Sequence, residues 1–351
     1  MNELEIKSAL TYDDIQLVPT YSEVESRKNI SLTTQLTTNY KLMIPLVASP
    51  MDTVCEYKMA KKLTQLGGAG VIHRFMSIEE QSKQVKMLYD DIQNDESLTS
   101  IWYVEKDKIP IMAAIGSNGD FLERAKELVK SGANVLVIDV AHGHHINVKN
   151  AIESIRSENL KVDIIAGNIA TSEAAIDLQK WGVDGLRVGI GGGSLCTTRI
   201  KTGFGVPNVT SLYEIVKVAT VPVMADGGIR TSGDIAKALA IGASNVMLGS
   251  LLAGTEESPG KIIDNNGLYK RYRGSASLET KTVHNQEARN VEGESTIIPY
   301  KGGTKFIIDG LIDGVRSALS YGGASNLNEF KPKIVRVTTS GILEAKPHLI
   351  K

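Results

Sequence analysis

Cysteine, aromatic side chains and net charge are all scarce in this sequence. Its two cysteines, Cys55 and Cys196, cannot build a disulfide framework, so the fold must rest on a packed core. Aromatic residues make up 5% against 33 glycines, a balance that favours many tight strand-to-helix turns. Thirty-nine Lys and Arg against 40 Asp and Glu leave a net charge of −1, which excludes a bulk electrostatic footprint for nucleic acid or an acidic membrane. An anionic ligand must therefore be held locally. No apolar run approaches the roughly 18 residues of a membrane span, and the opening MNELEIKSAL carries charges where a signal peptide needs an apolar stretch. The expected location is the cytoplasm. With 42% hydrophobic and 23% charged residues the composition is globular, and 351 residues can bury a large core.

What the chain does have is a repeating helix and strand. In QLGGAGVIH, KSGANVLVIDV, KWGVDGLRVGI and AIGASNVMLGS an amphipathic helix ends in glycine and a β-branched strand begins a few residues later. Glycine just past a helix fits the left-handed position where a Cβ is penalised, so each instance marks a helix-to-strand junction. Phe121, Leu122, Ala125, Leu128 and Val129 form the matching apolar stripe before Gly132. Runs at Leu46–Ser49, Ile111–Gly116, Ile164–Asn168 and Val221–Asp226 bring the strand candidates between positions 46 and 250 to eight. They are continuously apolar rather than alternating, as in a parallel sheet covered by helices. The pattern predicts an α/β fold, a (β/α)8 TIM barrel, with an open doubly wound sheet as the alternative. The polar stretch NDESLTSIWYVEKDK is too short for a second domain. One catalytic domain over 1–351 is expected, with a flap at about 270–303 and a C-terminal helix and tail over 304–351, the helix near Phe306 to Tyr321.

In such a barrel the chemistry sits in loops after the strands, and phosphate is commonly held after strands seven and eight. VMADGGIRTSGD supplies Gly227 and Gly228, with Thr231 opening the next helix, and VMLGSLLAG supplies Gly249 and Ser250. These two loops offer backbone N–H groups and a hydroxyl to a phosphomonoester. After strand six comes GIGGGSLCTTRIKTGFGVPN, whose G-x-G start fails as a dinucleotide fingerprint because Gly203, Gly205 and Pro207 prevent the immediate helix. Cys196 lies in this loop with Thr198 and Arg199 close by, a setting for a nucleophilic thiolate, since positive charge and N–H dipoles lower a thiol pKa. Cys55 reads as a small buried hydrophobe. His142, His144 and His145 lack partners at zinc-ligand spacing. Asp139, at the end of strand four, can hydrogen-bond a sugar or nicotinamide group.

These motifs identify a family. From ALTYDDIQLVP through SPMDTV, GVIHRFMSIEEQ, GNIAT, GIGGGSLCTTR, ADGGIRTSGDIAKALAIGAS, LGSLLAGTEESPG and YRGSASLE to SGILEAKPH, the chain resembles the IMP dehydrogenase/GMP reductase family. The resemblance implies a purine-mononucleotide enzyme in which Cys196 bonds covalently to purine C2 as a thioimidate, with Thr198 and Glu292 relaying protons. It places Ser49 and Met51 on the nucleotide and Asp226 on the ribose. Ser194, Gly227, Gly228, Gly249, Ser250 and Tyr272 fall at the phosphate, with Gly274 beside the substrate. Asp139, Asn168 and Arg289 fall at the cofactor, NADPH or NADH in a reductase and NAD in a dehydrogenase. The carbonyls of Gly191, Gly193 and Cys196 correspond to a monovalent cation site, potassium in the family, and a homotetramer is implied. The regulatory (CBS) modules inserted in many of the dehydrogenases are missing.

The flap separates the two activities. Dehydrogenases of the family use an Arg-Tyr pair there to activate water, whereas GSASLETKTVHNQEARNVE, from Gly274 to Glu292, has only Arg289. That is the reductase arrangement. Other features are dehydrogenase-like: the N-terminal third, the LLAGTEESPG segment, and the tail around Glu344, which matches a segment completing the cation site of a neighbouring subunit. Glu294 replaces a basic residue of the reductases, which argues against a requirement for the 2′-phosphate of NADPH. Gly192 replaces a proline common in the cysteine loop and is expected to loosen it.

Overall fold

Apolar runs that are buried on both faces pair best with one another, and here they close on themselves. The computed structural model describes residues 7–264, 266–284 and 291–344. Its central sheet comprises β1 (Leu46–Ala48), β2 (Ala69–Ile72), β3 (Met112–Ile115), β4 (Val135–Asp139), β5 (Asp163–Ile169), β6 (Gly185–Val188), β7 (Val223–Asp226) and β8 (Asn245–Leu248). Each strand pairs in parallel with the next, and β8 returns to β1 through Val246↔Leu46, Met247↔Val47 and Leu248↔Ala48. The sheet is a closed eight-stranded barrel, which removes the open doubly wound alternative.

Eight helices cover the barrel: α1 (Tyr57–Gln65), α2 (Ile78–Asn94), α3 (Phe121–Lys130), α4 (Ile146–Ser157), α5 (Ser172–Trp181), α6 (Asn208–Val216), α7 (Ser232–Ile241) and α8 (Thr304–Tyr321). On α3, Ala125 and Leu128 are fully buried, and Phe121, Leu122 and Val129 pack against the core as the stripe predicts. Gly67, Gly132, Gly182 and Gly242 hold φ of +85°, +110°, +97° and +119°, the left-handed turns that reverse each chain segment into the next strand. Thr231 caps α7, with Asp234 completing a capping box.

Between α2 and β3 the chain makes a short helix, Ser97–Trp102, docked by Trp102 Nε1 donating to the Thr64 carbonyl at 2.9 Å, and a single 3-10 turn, Lys106–Lys108. The last barrel helix starts at Thr304 rather than Phe306, because Thr304 N–H is taken by Glu257 Oε2 at 2.8 Å and its hydroxyl by Thr255 Oγ1 at 3.0 Å. The flap is an antiparallel sheet of β9 (Ile263–Asp264), β10 (Leu268–Arg273) and β11 (Ser295–Pro299) plus a short helix, Leu278–Val283. A tail strand, Ile334–Arg336, pairs antiparallel with Ile15–Leu17 near the N-terminus. Among the described residues no helix is long and apolar enough to cross a membrane.

Candidate active site

The strand C-termini open into a cavity of about 500 Å³. Ser49 and Met51 reach it from β1, Asp139 from β4, Asn168 from β5, Asp226, Gly227 and Gly228 from β7, and Gly249 and Ser250 from β8. Gly191, Gly193, Ser194, Cys196 and Thr198 enter after β6, and Tyr272, Gly274 and Glu292 from the flap. Every site residue expected from the sequence lines this cavity except Arg289, which lies outside the described residues.

The cysteine loop is shaped by close backbone approach. At Gly189 (φ +139°) a Cβ would sit 1.9 Å from the Asp226 carbonyl oxygen, so only glycine lets the chain leaving β6 cross the end of β7. Cys196 N–H then donates to Gly193 O at 3.1 Å, and the thiol donates to Thr198 Oγ1 at 3.1 Å. Thr198 Oγ1 in turn donates to Glu292 Oε2 at 2.7 Å. Backbone bonds fix that glutamate: its N–H donates to Ala276 O at 3.1 Å and its carbonyl accepts Thr197 N–H at 3.0 Å. The result is a thiol–hydroxyl–carboxylate chain, able to carry a proton to or from a group bonded at the sulfur.

Arg199 corrects one expectation. Its guanidinium donates to the carbonyls of Val206 at 3.0 Å and Ile190 at 3.4 Å, and its stem packs over Gly191 and Gly205. Loop carbonyls turned out of any ladder need donors. The arginine supplies them, bracing the loop rather than facing the thiol.

Also lining the cavity, Tyr272 OH lies 3.1 Å from Ser194 Oγ, and burial pushes the phenol's pKa up. Behind the β8 loop Lys301 Nζ donates to Ser250 O at 2.5 Å and Leu251 O at 3.2 Å. Beneath the flap, Asp52 Oδ2 accepts from Arg273 Nε at 2.9 Å and Nη2 at 2.6 Å, and lies 2.8 Å from His284 Nε2.

Arg187 escaped the sequence reading. Its side chain, 7% exposed, bridges Asp139 Oδ1 through Nη1 at 2.6 Å and Asp226 Oδ2 through Nε at 2.9 Å. Burial opposes its charge, but Asp226 and Asp139 overcome that and raise the pKa. Asn168 Nδ2 donates to the same Asp226 Oδ2 and to Gly189 O, both at 2.7 Å. Asp226 thus keeps Oδ1 outside these bonds, with its carboxylate plane held from two sides. A lone cation inside the apolar run GLRVGI was the available signal. Of the histidines, His144 Nε2 pairs with Asp177 at 3.0 Å and His145 caps α4 by accepting Asn147 N–H at 3.1 Å. Among the described residues no group of three or more His, Cys, Asp or Glu could hold a metal ion.

A family model described as the IMP dehydrogenase/GMP reductase domain matches residues 9–348. The chain belongs to this family. Within this family of purine-nucleotide oxidoreductases it is 40% identical to an inosine-5′-monophosphate dehydrogenase of Cryptosporidium parvum, covering 99% of this chain and 97% of that one. It is 39% identical to the inosine-5′-monophosphate dehydrogenase of Borreliella burgdorferi, with 97% of each covered. A solved structure of a cysteine-to-alanine variant of GMP reductase from Trypanosoma brucei, in complex with guanosine 5′-monophosphate, superposes with a TM-score of 0.90. That match is 30% identical and covers 99% of each chain.

Proposed function

We propose that the protein is a GMP reductase, converting GMP and reduced nicotinamide to IMP and ammonia. One observation carries this reading: Thr198 joins Cys196 to Glu292 within hydrogen-bond distance, while the sequence from Gly274 to Glu292 has no Arg-Tyr pair for activating water. The Cys196 thiol passes its proton through Thr198 to Glu292 as the sulfur bonds to C2 of GMP, and Glu292 returns that proton through Thr198 to the 2-amino group, which leaves as ammonia. Reduced nicotinamide, NADH or NADPH, would supply the hydride to C2 when bound at the end of the site that Asp139 and Asn168 line. Cleavage of the C2–S bond then releases IMP and returns the thiolate, which takes up a proton from solvent through the same relay.

In this assignment Ser49 and Met51 meet the nucleotide, and Asp226 holds the ribose with the oxygen that Arg187 and Asn168 leave free. Ser194, Gly227, Gly228, Gly249, Ser250 and Tyr272 take the phosphate, and Gly274 closes over the substrate. Asp139, Asn168 and Arg289 belong to the cofactor end. A monovalent cation would sit among the carbonyls of Gly191, Gly193 and Cys196, hard oxygen donors of the kind potassium accepts. Gly193 O already takes the Cys196 N–H at 3.1 Å and would bind through its second lone pair. A cytoplasmic homotetramer completes the proposal.

The second reading is NAD-dependent oxidation of IMP to XMP, favoured by the relatives of 39 and 40% identity that carry that name. A catalytically idle nucleotide-binding barrel is disfavoured by the intact thiol–hydroxyl–carboxylate chain. The deciding experiment follows nicotinamide absorbance with GMP plus NADPH or NADH, and separately with IMP plus NAD. Loss of reduced nicotinamide with GMP is expected. Steady XMP formation from IMP, faster than GMP reduction, overturns the reductase assignment.

A further inference from the structure

The glycine at position 192 is expected to loosen the cysteine loop, yet the space beside it is filled. A Cβ at Gly192 would lie 2.4 Å from Asn208 Nδ2 and 2.6 Å from Oδ1. Asn208 is the first residue of α6, follows Pro207, and is only 6% exposed. Its amide nitrogen donates to the Gly227 carbonyl at 2.5 Å and lies 3.4 Å from that of Asp226. A Cβ at Gly228 would approach the same nitrogen to 3.1 Å. Above it the two loops touch backbone to backbone, since a Cβ at Gly227 would come within 3.0 Å of the Gly192 carbonyl carbon. One side chain therefore underlies the loop that carries Ser194 and Cys196 and the loop that carries Asp226, Gly227 and Gly228.

The chemistry of the residue matters as much as its volume. Asn208 Oδ1 is buried with no hydrogen-bond partner among the described residues, a cost that an apolar side chain of similar size would not incur. What the amide adds is its donor, bonded to the phosphate-side loop. We infer that Asn208 is a positioning residue that fixes the distance between the Cys196 thiol and the phosphate cradle, so that a purine mononucleotide engages both at once. The inference rests on the mononucleotide reading above, though not on the direction of the reaction. A nucleoside meets the two loops through base and ribose alone, whereas the phosphate of a nucleotide adds contacts to both at once, Ser194 on one and Gly227 and Gly228 on the other, and so draws its extra affinity from loops already held at the right separation.

The test compares GMP, IMP and guanosine binding by calorimetry in wild type, Asn208→Asp, Gly192→Ala and Gly192→Ala/Asn208→Ala. Asn208→Asp keeps the shape and removes the donors. Its GMP-to-guanosine affinity ratio should fall about tenfold, the scale of coupling between contacting residues. Gly192→Ala should lower the ratio similarly, and much less once Asn208→Ala has removed the obstacle. If Asn208→Asp does not fold, Gly192→Ala alone decides. An unchanged ratio, or equal cost of Gly192→Ala with and without Asn208→Ala, overturns the positioning role while leaving the functional reading intact. A wild-type protein that binds neither GMP nor IMP overturns both.

Discussion

The phosphate-side loops and the flap are built on different principles. Gly227, Gly228, Gly249 and Ser250 follow directly from β7 and β8, and their placement is set by strand register, by Gly227, which admits the Gly192 backbone, and by Gly228 and Gly249, which admit the side chains of Asn208 and Tyr272. The flap lies outside the barrel. It is attached by the Cys196↔Gly293 bridge, by backbone bonds around Glu292, and by side-chain contacts from Asp52 to Arg273 and His284. The cradle proposed for the substrate anion is therefore inherited from the fold, while the carboxylate proposed to handle the proton is delivered by a separately anchored segment. Chemistry can change in such an enzyme by rewriting the flap with the cradle left alone. That is the division expected of a family with two activities.

The sharpest way to break the comparison is to remove the proposed nucleophile, the one group both regions would serve. Cys196→Ala should abolish turnover in either direction with nucleotide affinity largely kept, because the anion contacts proposed above, apart from Ser194, come from other segments. Retention of more than about a hundredth of the wild-type rate would take the thioimidate out of the mechanism. Glu292→Gln comes next in size. Loss of a positioned proton donor typically costs about 10² to 10⁴ in rate, and the cost should fall on ammonia release. Hydride transfer to a pre-formed thioimidate should be nearly unaffected. Ammonia trapping and nicotinamide absorbance time the two steps separately, and equal slowing of both would show that Glu292 holds structure rather than a proton.

The barrel was far more legible in the sequence than the flap, and the cause is physical. Strand runs such as Val135–Asp139 are buried on both faces, so their composition betrays them, and Gly132, Gly182 and Gly242 are required where they stand by their left-handed φ. Cys196 and Thr198 are two residues apart, so their contact could be anticipated. Arg199 shows the limit, since adjacency along the chain said nothing about which carbonyls its guanidinium would meet. Arg187 and Asn208 show it from the other side. Their partners lie on other strands and loops, up to 48 residues away for the Arg187–Asp139 pair, and only the closed barrel brings them together.

A milder perturbation isolates the flap anchor. Asp52→Asn would leave Arg273 with Glu279, 3.2 Å away, as its acidic partner among these contacts, and would weaken the contact with His284. Removing one member of a buried, hydrogen-bonded charge pair is strongly destabilising to what it holds. The effect should appear as a fall in kcat of about tenfold and faster proteolysis within the flap, with GMP affinity nearly unchanged. If GMP affinity fell as much as kcat, the cradle and the flap would not be the separate structures described above.

The smallest effect is expected where the two regions meet. Tyr272 belongs to the flap strand β10, yet its hydroxyl lies 3.1 Å from Ser194 Oγ, in the cysteine loop, and 3.3 Å from where a Gly249 Cβ would be. It is 4% exposed, and burial raises its pKa, so the group is a neutral phenol at physiological pH, able to donate a hydrogen bond to the proposed phosphate rather than to act as a charge. Tyr272→Phe removes that donor and keeps the ring packing. A neutral hydrogen bond contributes about 0.5–1.5 kcal/mol, so KM for GMP should rise about two- to tenfold with kcat unchanged, and guanosine binding should not move. The rise should also be flat between pH 6 and pH 9, because a phenol with a raised pKa does not ionise there. A drop in kcat instead would mean that Tyr272 acts on flap closure, and that the boundary between cradle and flap lies at Ser194 rather than at β10.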